Sequence, residues 1–287
     1  MRRGKRLLAM VLAVLAVCQT AGCSTAASKS TGTAPKETTG SRKEASGAAA
    51  EPMDLYVFIA ASLKNTMETV KESYEKQHPG VTIIYNADSS GTLKTQIEEG
   101  ARCDVFFSAA TRQMDELKER GYVVDGSVHD LLMNQVVLIK PKGGKTKVTG
   151  FDNITQAANL ALAGEDVPVG QYARKMFTNM GLLDSVMKME INEGPNVTAV
   201  LTAVAEGSNE VGIVYATDAA SMADSVEIIA KADKSLVDPA IYPVGLIKDK
   251  EASEEEKKAA EDFVKYLTED QDVRQVFTNA GFELYSQ

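Results

Sequence analysis

Short apolar runs alternate with stripes of apolar residues at helical spacing along most of this chain, and this alternation constrains the fold more than any other feature. The run Leu55–Ala60 comes first, and it is followed at intervals of three or four residues by Leu63, Met67, Val70 and Tyr74. Residues at this spacing share one face of a helix, and a short apolar run is typical of a buried strand. The folded body is therefore predicted to begin with a strand and then a helix.

The same unit recurs along the rest of the chain. Further strands are predicted at Val81–Tyr85, Val105–Phe107, Gln135–Lys140, Leu160–Ala163, Val211–Tyr215 and Ile241–Ile247. Helical stripes lie between and after them, at Leu93 and Ile97, at Met114 and Leu117, at Tyr172–Met180, at Val197–Val204 and from Glu251 to Phe277. This alternation is typical of a mostly parallel sheet flanked by helices. We predict an α/β protein of two lobes joined by two strand crossings, and one fused sheet is the alternative.

The first residues of the chain have the pattern of a secretory signal. Four basic residues precede the uninterrupted apolar run Leu7–Val17, and they are Arg2, Arg3, Lys5 and Arg6. That run is shorter than the ~20 residues of a membrane-spanning helix, and it has the length of a signal-peptide apolar region. Thr20-Ala21-Gly22-Cys23 resembles the site of lipoprotein signal peptidase, with Thr20 in place of the usual leucine. Residues 1–22 are therefore predicted to be a lipoprotein signal peptide and Cys23 to be lipidated; an ordinary cleaved signal is the alternative.

The segment after Cys23 differs in composition from the body. Residues 24–50 are rich in Ser, Thr, Gly, Ala and Lys and contain no aromatic residue, so they have almost nothing to bury. Such a segment does not offset its ordering entropy, and residues 23–52 are predicted to be a flexible tether. Residues 53–134 with 243–287 are predicted to form lobe 1, and residues 135–242 lobe 2. The hinge is predicted near Gln135–Lys140 and Ile241–Ile247.

Charge and cysteine content exclude several classes of site. The chain carries a net charge of −9, and loss of the four basic residues of the leader lowers it to −13. Nucleic acid is excluded as a partner because its binding depends on basic patches. An acidic chain also repels anions at long range, so any anion site must depend on local dipoles and hydrogen bonds. Cys103 is alone in the body, which excludes an internal disulfide and a cysteine metal cluster.

A search for catalytic motifs finds none. His78 lies in a predicted helix-ending turn and His129 in a polar turn region, and neither has metal-ligand spacing. The sequence contains no Walker-type phosphate loop and no dinucleotide-binding glycine motif after a strand. Ser90 lacks the leading glycine of a nucleophile elbow. We therefore predict a protein that is not an enzyme and that has no cofactor; a hydrolase is the remote alternative.

Small or hydroxyl residues recur where a predicted strand gives way to a predicted helix. The four segments are Ala60-Ala61-Ser62-Leu63, Ser89-Ser90-Gly91-Thr92, Pro168-Val169-Gly170-Gln171 and Gly194-Pro195-Asn196-Val197. A helix start has unpaired backbone N–H groups and a partial positive charge, and ligands of open α/β sheets bind beyond the carboxyl ends of the strands. Several such starts in one cleft would bind a small anion. Ordinary helix capping explains each segment taken alone.

At these residues the chain resembles the molybdate-binding proteins of ABC importers, which have the type II periplasmic-binding-protein fold. The resemblance extends from about Leu55 to Phe282. It is carried by blocks at residues 57–63, 89–93, 104–109, 167–173 and 212–219, in the order typical of the family. It implies a clamshell of two α/β lobes with a hinge of two crossing strands. It also implies a monomer outside the cytoplasm that works with an ABC permease and its ATPase.

The resemblance further implies the binding residues. By motif position, Ser62 and Ser90 give hydroxyl and backbone N–H donors, Val169 and Val197 give backbone N–H donors, and Tyr215 gives a side-chain hydrogen bond. The implied ligand is molybdate, and tungstate as a close match in size and charge; no other metal is implied. Neutral donors suit a fully deprotonated oxyanion, because a site of donors alone offers a bound O–H no acceptor. Phosphate is then disfavoured, whereas sulfate differs mainly in size.

Two other functions remain open at this point. In the first, the chain has this fold but binds another oxyanion, such as sulfate or thiosulfate. In the second, the chain is a tethered ligand sensor that signals through an unseen partner. For the transport function we expect the lobes to close around the anion.

Overall fold

The structure of the protein, a computed structural model, describes residues 52–286. The predicted signal peptide, nearly all of the predicted tether and the predicted lipidation site Cys23 lie outside the described residues. Among the described residues, no helix is long and apolar enough to cross a membrane.

The strands of the described residues form two separate sheets. They are β1 (Met53–Ala60), β2 (Val81–Asp88), β3 (Val105–Phe107), β4 (His129–Asn134), β5 (Val136–Pro141), β6 (Asn159–Ala163), β7 (Glu190–Gly194), β8 (Val211–Tyr215), β9 (Val226–Lys231), β10 (Ala240–Leu246) and β11 (Glu283–Leu284). The larger sheet has the order β11-β4-β10-β3-β1-β2, and the smaller has the order β7-β6-β8-β5-β9. The two-lobed α/β fold is therefore confirmed, and the fused sheet is excluded.

Both sheets are mixed, so the expectation of mostly parallel sheets was wrong. In the larger sheet β1 pairs in parallel with β2 and β3, but β10 runs antiparallel to β3 and β4. In the smaller sheet β6 pairs in parallel with β7 and β8, whereas β5 runs antiparallel to β8 and β9. The antiparallel pairs involve the four strands next to the two crossings, β4, β5, β9 and β10, and the short strand β11, which pairs with β4.

Helices cover the sheets, and the predicted apolar stripes face the core. They are α1 (Lys64–Gln77), α2 (Ser90–Glu98), α3 (Thr111–Glu119), α4 (Pro168–Asn179), α5 (Leu183–Val186), α6 (Val197–Ala205), α7 (Ala216–Ser221), α8 (Glu254–Glu269) and α9 (Gln271–Asn279). On α1, Met67, Val70 and Tyr74 are no more than 1% exposed. Full burial of such a side chain contributes about 1.5–3 kcal/mol, so these stripes fix the helices on the sheets.

Two local predictions were wrong. Helix α4 begins at Pro168 and not at Tyr172, because proline at the first helical position needs no N–H acceptor and has a helical φ. His129 does not lie in a turn region but is the first residue of β4. The strand predicted at Gln135–Lys140 is observed as β5, Val136–Pro141, and only Gln135 separates it from β4 of the other sheet. Edge strands β7 and β9 were missed because most of their side chains are not buried.

The chain crosses between the sheets twice in the described residues. The first crossing is at Gln135, between β4 and β5, and the second lies between Lys231 and Ala240. Gln135 connects the crossings, since its Nε2 donates to the carbonyl oxygen of Ala232 at 2.8 Å. Strand β10, which includes most of the predicted second hinge segment, pairs within the larger sheet. The lobe limits after residues 134 and 242 remain a proposal.

Candidate functional site

A small cavity lies where strand ends and helix starts of the two lobes meet. It encloses about 200 Å³ including the part open to solvent, and all five predicted binding residues line it. The lining residues are Ala60, Ala61, Ser62, Asp88, Ser89, Ser90, Ala109, Val167, Pro168, Val169, Val197 and Tyr215. Strands β1, β2 and β8 end at this cavity, as expected for a ligand site at the carboxyl ends of strands.

Ser90 is the first residue of α2 and is fully buried. Its Oγ accepts the backbone N–H of Ala109 at 2.9 Å. A backbone N–H only donates, so the hydrogen of the Ser90 hydroxyl remains available for another acceptor. The preceding residue, Ser89, caps the helix by accepting the N–H of Thr92 at 3.0 Å. Both serines line the cavity, but the Oγ of Ser89 is occupied by the helix cap, whereas Ser90 keeps its hydroxyl hydrogen free.

Ser62 lies in the one-turn 3₁₀ helix Ala61–Leu63, directly after β1. Its Oγ is 2.9 Å from the Oη of Tyr242, and this Oη is 3.3 Å from the Nδ2 of Asn134. Tyr242 is fully buried, and burial raises the pKa of its phenol well above the ordinary value. The neighbour of Ser62 is therefore a neutral phenol over the physiological pH range.

Val169 and Val197 line the cavity at the starts of two helices. Val169 is the second residue of α4, and Val197 is the first residue of α6. N–H groups of a first helical turn have no acceptor within the helix and are oriented away from it. The cap residue Asn196 accepts the N–H of Ala199 at 3.0 Å and does not occupy that of Val197. Both valines thus offer backbone donors, for which the identity of the side chain matters little.

The close packing of α4 on β6 depends on Gly170. A Cβ at this position would overlap the carbonyl oxygens of Ala163 and Gly164 and lie 2.9 Å from the carbonyl carbon of Ala163. Arg174 also holds this helix start, because its guanidinium donates to the carbonyl oxygens of Ala163 at 2.7 Å and Gly170 at 3.1 Å. The sequence pattern did not single out Arg174, since a charged residue in the middle of a helix is ordinarily solvated.

Tyr215 is the last residue of β8, and its side chain is 1% exposed. Its Oη is 3.5 Å from the carbonyl oxygen of Ala109, and its ring packs edge-on against Tyr242 with centroids 5.7 Å apart. Burial raises the pKa of the Tyr215 phenol, so it keeps its proton for donation. The backbone N–H of Tyr215 donates to Oδ2 of the buried Asp218 at 3.0 Å. Burial raises the pKa of Asp218 to about 7, against the effect of that N–H.

Asp88 is a lining residue that the sequence pattern did not predict as part of the site. It is the last residue of β2, and its Oδ1 accepts the N–H of Ser89 at 2.7 Å. The same Oδ1 accepts Nδ2 of Asn196, from the other lobe, at 2.9 Å. A carboxylate beside an anion is unfavourable, and these two donors reduce its charge density at the cavity. The sequence feature that could have identified Asp88 as a lining residue is its position directly before Ser89.

A second contact between the lobes lies beside the cavity. Nε2 of Gln113 donates to the carbonyl oxygen of Asp166 at 3.5 Å and to Oε1 of Gln171 at 3.3 Å. Asp166 also packs closely against Gly91. A Cβ on Gly91 would overlap the carbonyl oxygen of Asp166. The lobes are therefore in contact on both sides of the five predicted residues.

The cavity wall contains no lysine or arginine, and Asp88 is its one charged residue in the part of the chain that the structure describes. Within residues 52–286, no cluster of His, Cys, Asp or Glu has the arrangement of a metal-ion site. The chemistry that the site offers is hydrogen-bond donation from neutral hydroxyls, phenols and helix N-termini. Such donors bind an anion without transferring a proton or forming a covalent bond.

A family profile described as "Bacterial extracellular solute-binding protein" matches residues 55–283 of the chain. The chain belongs to this family. Among curated relatives, this solute-binding protein is 36% identical over 229 residues to "Putative ABC transporter substrate-binding lipoprotein YvgL" of Bacillus subtilis, a match that covers 79% of this chain and 85% of the relative. It is 32% identical over 234 residues to "Molybdate-binding protein ModA" of Haemophilus influenzae, covering 79% of this chain and 88% of that one.

Solved structures agree with this family assignment. The substrate-binding domain of a putative molybdenum ABC transporter from Clostridium difficile matches with a TM-score of 0.61 and 32% identity, over 82% of this chain and all of that one. The periplasmic molybdate-binding protein of Azotobacter vinelandii matches with a TM-score of 0.68 over 81% of this chain and all of that one, and its 22% identity shows the fold alone. The solute-binding protein is thus of the ModA type, which confirms the predicted family and fold and a location outside the cytoplasm.

Proposed function

We propose that the protein captures molybdate, and also tungstate, in the cavity between its lobes and delivers it to an ABC permease and its ATPase. In this proposal Ser62, Ser90 and Tyr215 donate side-chain hydrogen bonds to the oxyanion. Backbone N–H groups of Ser62, Ser90, Val169 and Val197 donate as well. The protein performs no chemical step on the ligand.

The observation that carries the proposal is the convergence of all five residues on one cavity lined by segments of both lobes. They come from the 3₁₀ helix after β1, from the end of β8 and from the starts of α2, α4 and α6, which are far apart in the sequence. Charge-assisted hydrogen bonds are roughly twice as strong as neutral ones, so several oriented donors offset the repulsion by an acidic chain. A molybdate-binding protein is among the relatives in sequence, and another molybdate-binding protein has the same fold.

The lipid anchor and the hinge complete the proposal. Lipidation of Cys23 would hold the protein at the outer face of the membrane, near its permease, through the tether. Closure of the lobes around the anion would follow from ligand contacts with both lobes, because a ligand that contacts two lobes favours the form in which they are together. The closed form is then the one that docks on the permease.

A calorimetric panel of molybdate, tungstate, sulfate and phosphate tests the ligand. We expect tight binding of molybdate and tungstate, and a ligand at ~100 times its dissociation constant should stabilise the fold by ~2.7 kcal/mol. Ser62→Ala should weaken binding, whereas Ser235→Ala, in the loop after β9, should not, since Ser235 is exposed and does not line the cavity. Binding of sulfate alone would refute the ligand but keep the class of protein.

Anchoring needs a separate test. Cells that express the parent protein should attach labelled fatty acid to it, and the Cys23→Ala variant should carry none, because the thiol of Cys23 accepts the lipid. A parent protein that carries no labelled fatty acid would contradict the lipid anchor and leave the ligand proposal untouched.

A further inference from the structure

A chain of hydrogen bonds lies behind Ser62, outside the residues that line the cavity. The Oη of Tyr242 is 2.9 Å from Oγ of Ser62, and Nδ2 of Asn134 is 3.3 Å from the same Oη. Tyr242 is 0% exposed and Asn134 is 4% exposed, so water does not compete for these bonds. Neither residue lines the cavity, and neither belongs to the predicted binding set.

The amide of Asn134 fixes the direction of this chain. Its Oδ1 accepts the backbone N–H of Gln135 at 2.9 Å, so its Nδ2 is the group that faces Tyr242. The Nδ2 also donates to Oγ1 of Thr217 at 2.7 Å, which agrees with this orientation. An amide nitrogen only donates, and Tyr242 Oη must therefore accept from Asn134.

Of the hydrogen bonds that Tyr242 Oη makes in residues 52–286, the one left for its own hydrogen is the bond to Oγ of Ser62. Ser62 accepts this hydrogen and is left with its own hydrogen for the cavity. The arrangement parallels that at Ser90, whose Oγ accepts the N–H of Ala109 at 2.9 Å. The hydroxyls of Ser62 and Ser90 thus each accept a hydrogen from a protein donor and keep their own hydrogen to donate into the cavity.

We infer that Tyr242, oriented by Asn134, is a positioning residue that fixes the Ser62 hydroxyl as a donor and thereby makes the cavity select fully deprotonated oxyanions over protonated ones. This inference rests on the proposed function, since it concerns how the same cavity distinguishes its ligands. It assigns the specificity against protonated oxyanions to two residues that do not touch the ligand.

The consequence of losing the Tyr242 hydroxyl follows from the donor inventory of serine. A hydroxyl donates one hydrogen and accepts through two lone pairs, and it rotates to suit its neighbours. Without the phenol behind it, Ser62 can turn a lone pair toward the cavity. It then accepts the hydrogen of a protonated phosphate and donates less often to molybdate.

The test is a double-mutant cycle on Tyr242→Phe and Ser62→Ala, with affinities for molybdate and inorganic phosphate measured by calorimetry near neutral pH. Phenylalanine keeps the edge-on packing of this ring against Tyr215 and Phe282, whose centroids are 5.7 and 5.4 Å away. We expect molybdate affinity to fall about tenfold in Tyr242→Phe, the scale of one hydrogen bond. The ratio of molybdate to phosphate affinity should fall too, and both effects should vanish in the Ser62→Ala background.

Tyr85→Phe is the matched control, because its hydroxyl donates to the carbonyl oxygen of Met67 at 2.9 Å and does not line the cavity. It should leave both affinities unchanged. An unchanged affinity ratio in Tyr242→Phe, or an equal loss of affinity in the Ser62→Ala background, would overturn the inference. A parent protein that binds sulfate and not molybdate would overturn the proposed ligand alone, and the ratio of sulfate to phosphate affinity would then report on Tyr242.

Discussion

Replacement of Gly91 by alanine tests whether the lobes separate in the absence of ligand. Gly91 is the second residue of α2, and it faces the loop before α4 on the other lobe. A Cβ on Gly91 would overlap the carbonyl oxygen of Asp166 and lie 2.9 Å from its carbonyl carbon and 3.2 Å from its Cβ. The substitution therefore adds an atom at the contact between the lobes.

The magnitude follows from this geometry. Carbon atoms in contact are about 3.5–4.0 Å apart, so the Asp166 loop must retreat by roughly 1 Å. Extra atoms in a packed contact cost about 1–3 kcal/mol. Because this cost falls on the closed form alone, molybdate affinity should drop by about 5- to 150-fold. In an open form the clash disappears, and alanine in place of glycine favours a helix by up to about 1 kcal/mol.

The assay is calorimetry with molybdate together with thermal unfolding of the ligand-free protein. Gly91→Ala should bind more weakly and unfold at the same or a higher temperature than the parent. The matched control is Gly170→Ala, whose Cβ would also lie 2.9 Å from a carbonyl carbon, that of Ala163 in its own lobe. Opening does not relieve that clash, so this control should unfold at a lower temperature. A Gly91→Ala protein that melts as low as the control would refute lobe separation.

Four further substitutions, two of them combined in one protein, have defined outcomes. Asn196→Asp places a carboxylate against Asp88 and should weaken molybdate binding about tenfold or more in calorimetry; adding Asp88→Asn should restore binding because the hydrogen bond reforms with its roles exchanged. Ser90→Ala leaves the buried N–H of Ala109 without its acceptor and should cost about 1–3 kcal/mol in urea unfolding, besides weakening binding. A pKa of about 7 for Asp218 in the folded state exceeds that of an unfolded aspartate, so stability falls as pH rises from about 4 to about 7. Asp218→Asn should remove that fall, up to about 4 kcal/mol at 1.36 kcal/mol per pKa unit, and identical pH profiles of unfolding would contradict the burial argument.

Much of the site was predictable from the sequence, because backbone donors and capping residues depend on local chain order. The segments around Ser62, Ser90, Val169 and Val197 are recognisable by their small and hydroxyl residues between a strand and a helix. All four lie where the structure starts a helix or turn, and Tyr215 ends the strand predicted there. That they bind molybdate remains a proposal.

Other features were not predictable because they depend on contacts between distant residues. Asp88 and Asn196 are 108 positions apart, and their hydrogen bond exists only because two lobes meet. Tyr242 lies 180 positions from Ser62, and no local pattern relates a tyrosine before a proline to a hydroxyl at a helix start. Local periodicity did not predict the order of the strands in the sheets either, since strands with parallel and antiparallel partners have the same apolar alternation.

The sequence by itself determined the α/β class, the segments in which strands give way to helices and the neutral character of the donors, since each depends on residues within one or two turns of chain. Only the tertiary structure decided that these helix starts share one cavity. It also decided that Gly91 carries no side chain because Asp166 packs against it, and that the Ser62 hydroxyl is backed by a phenol. The physical reason is the same in each case: hydrogen-bond direction and close packing are properties of pairs of atoms, and these pairs form only when segments far apart in the sequence pack together.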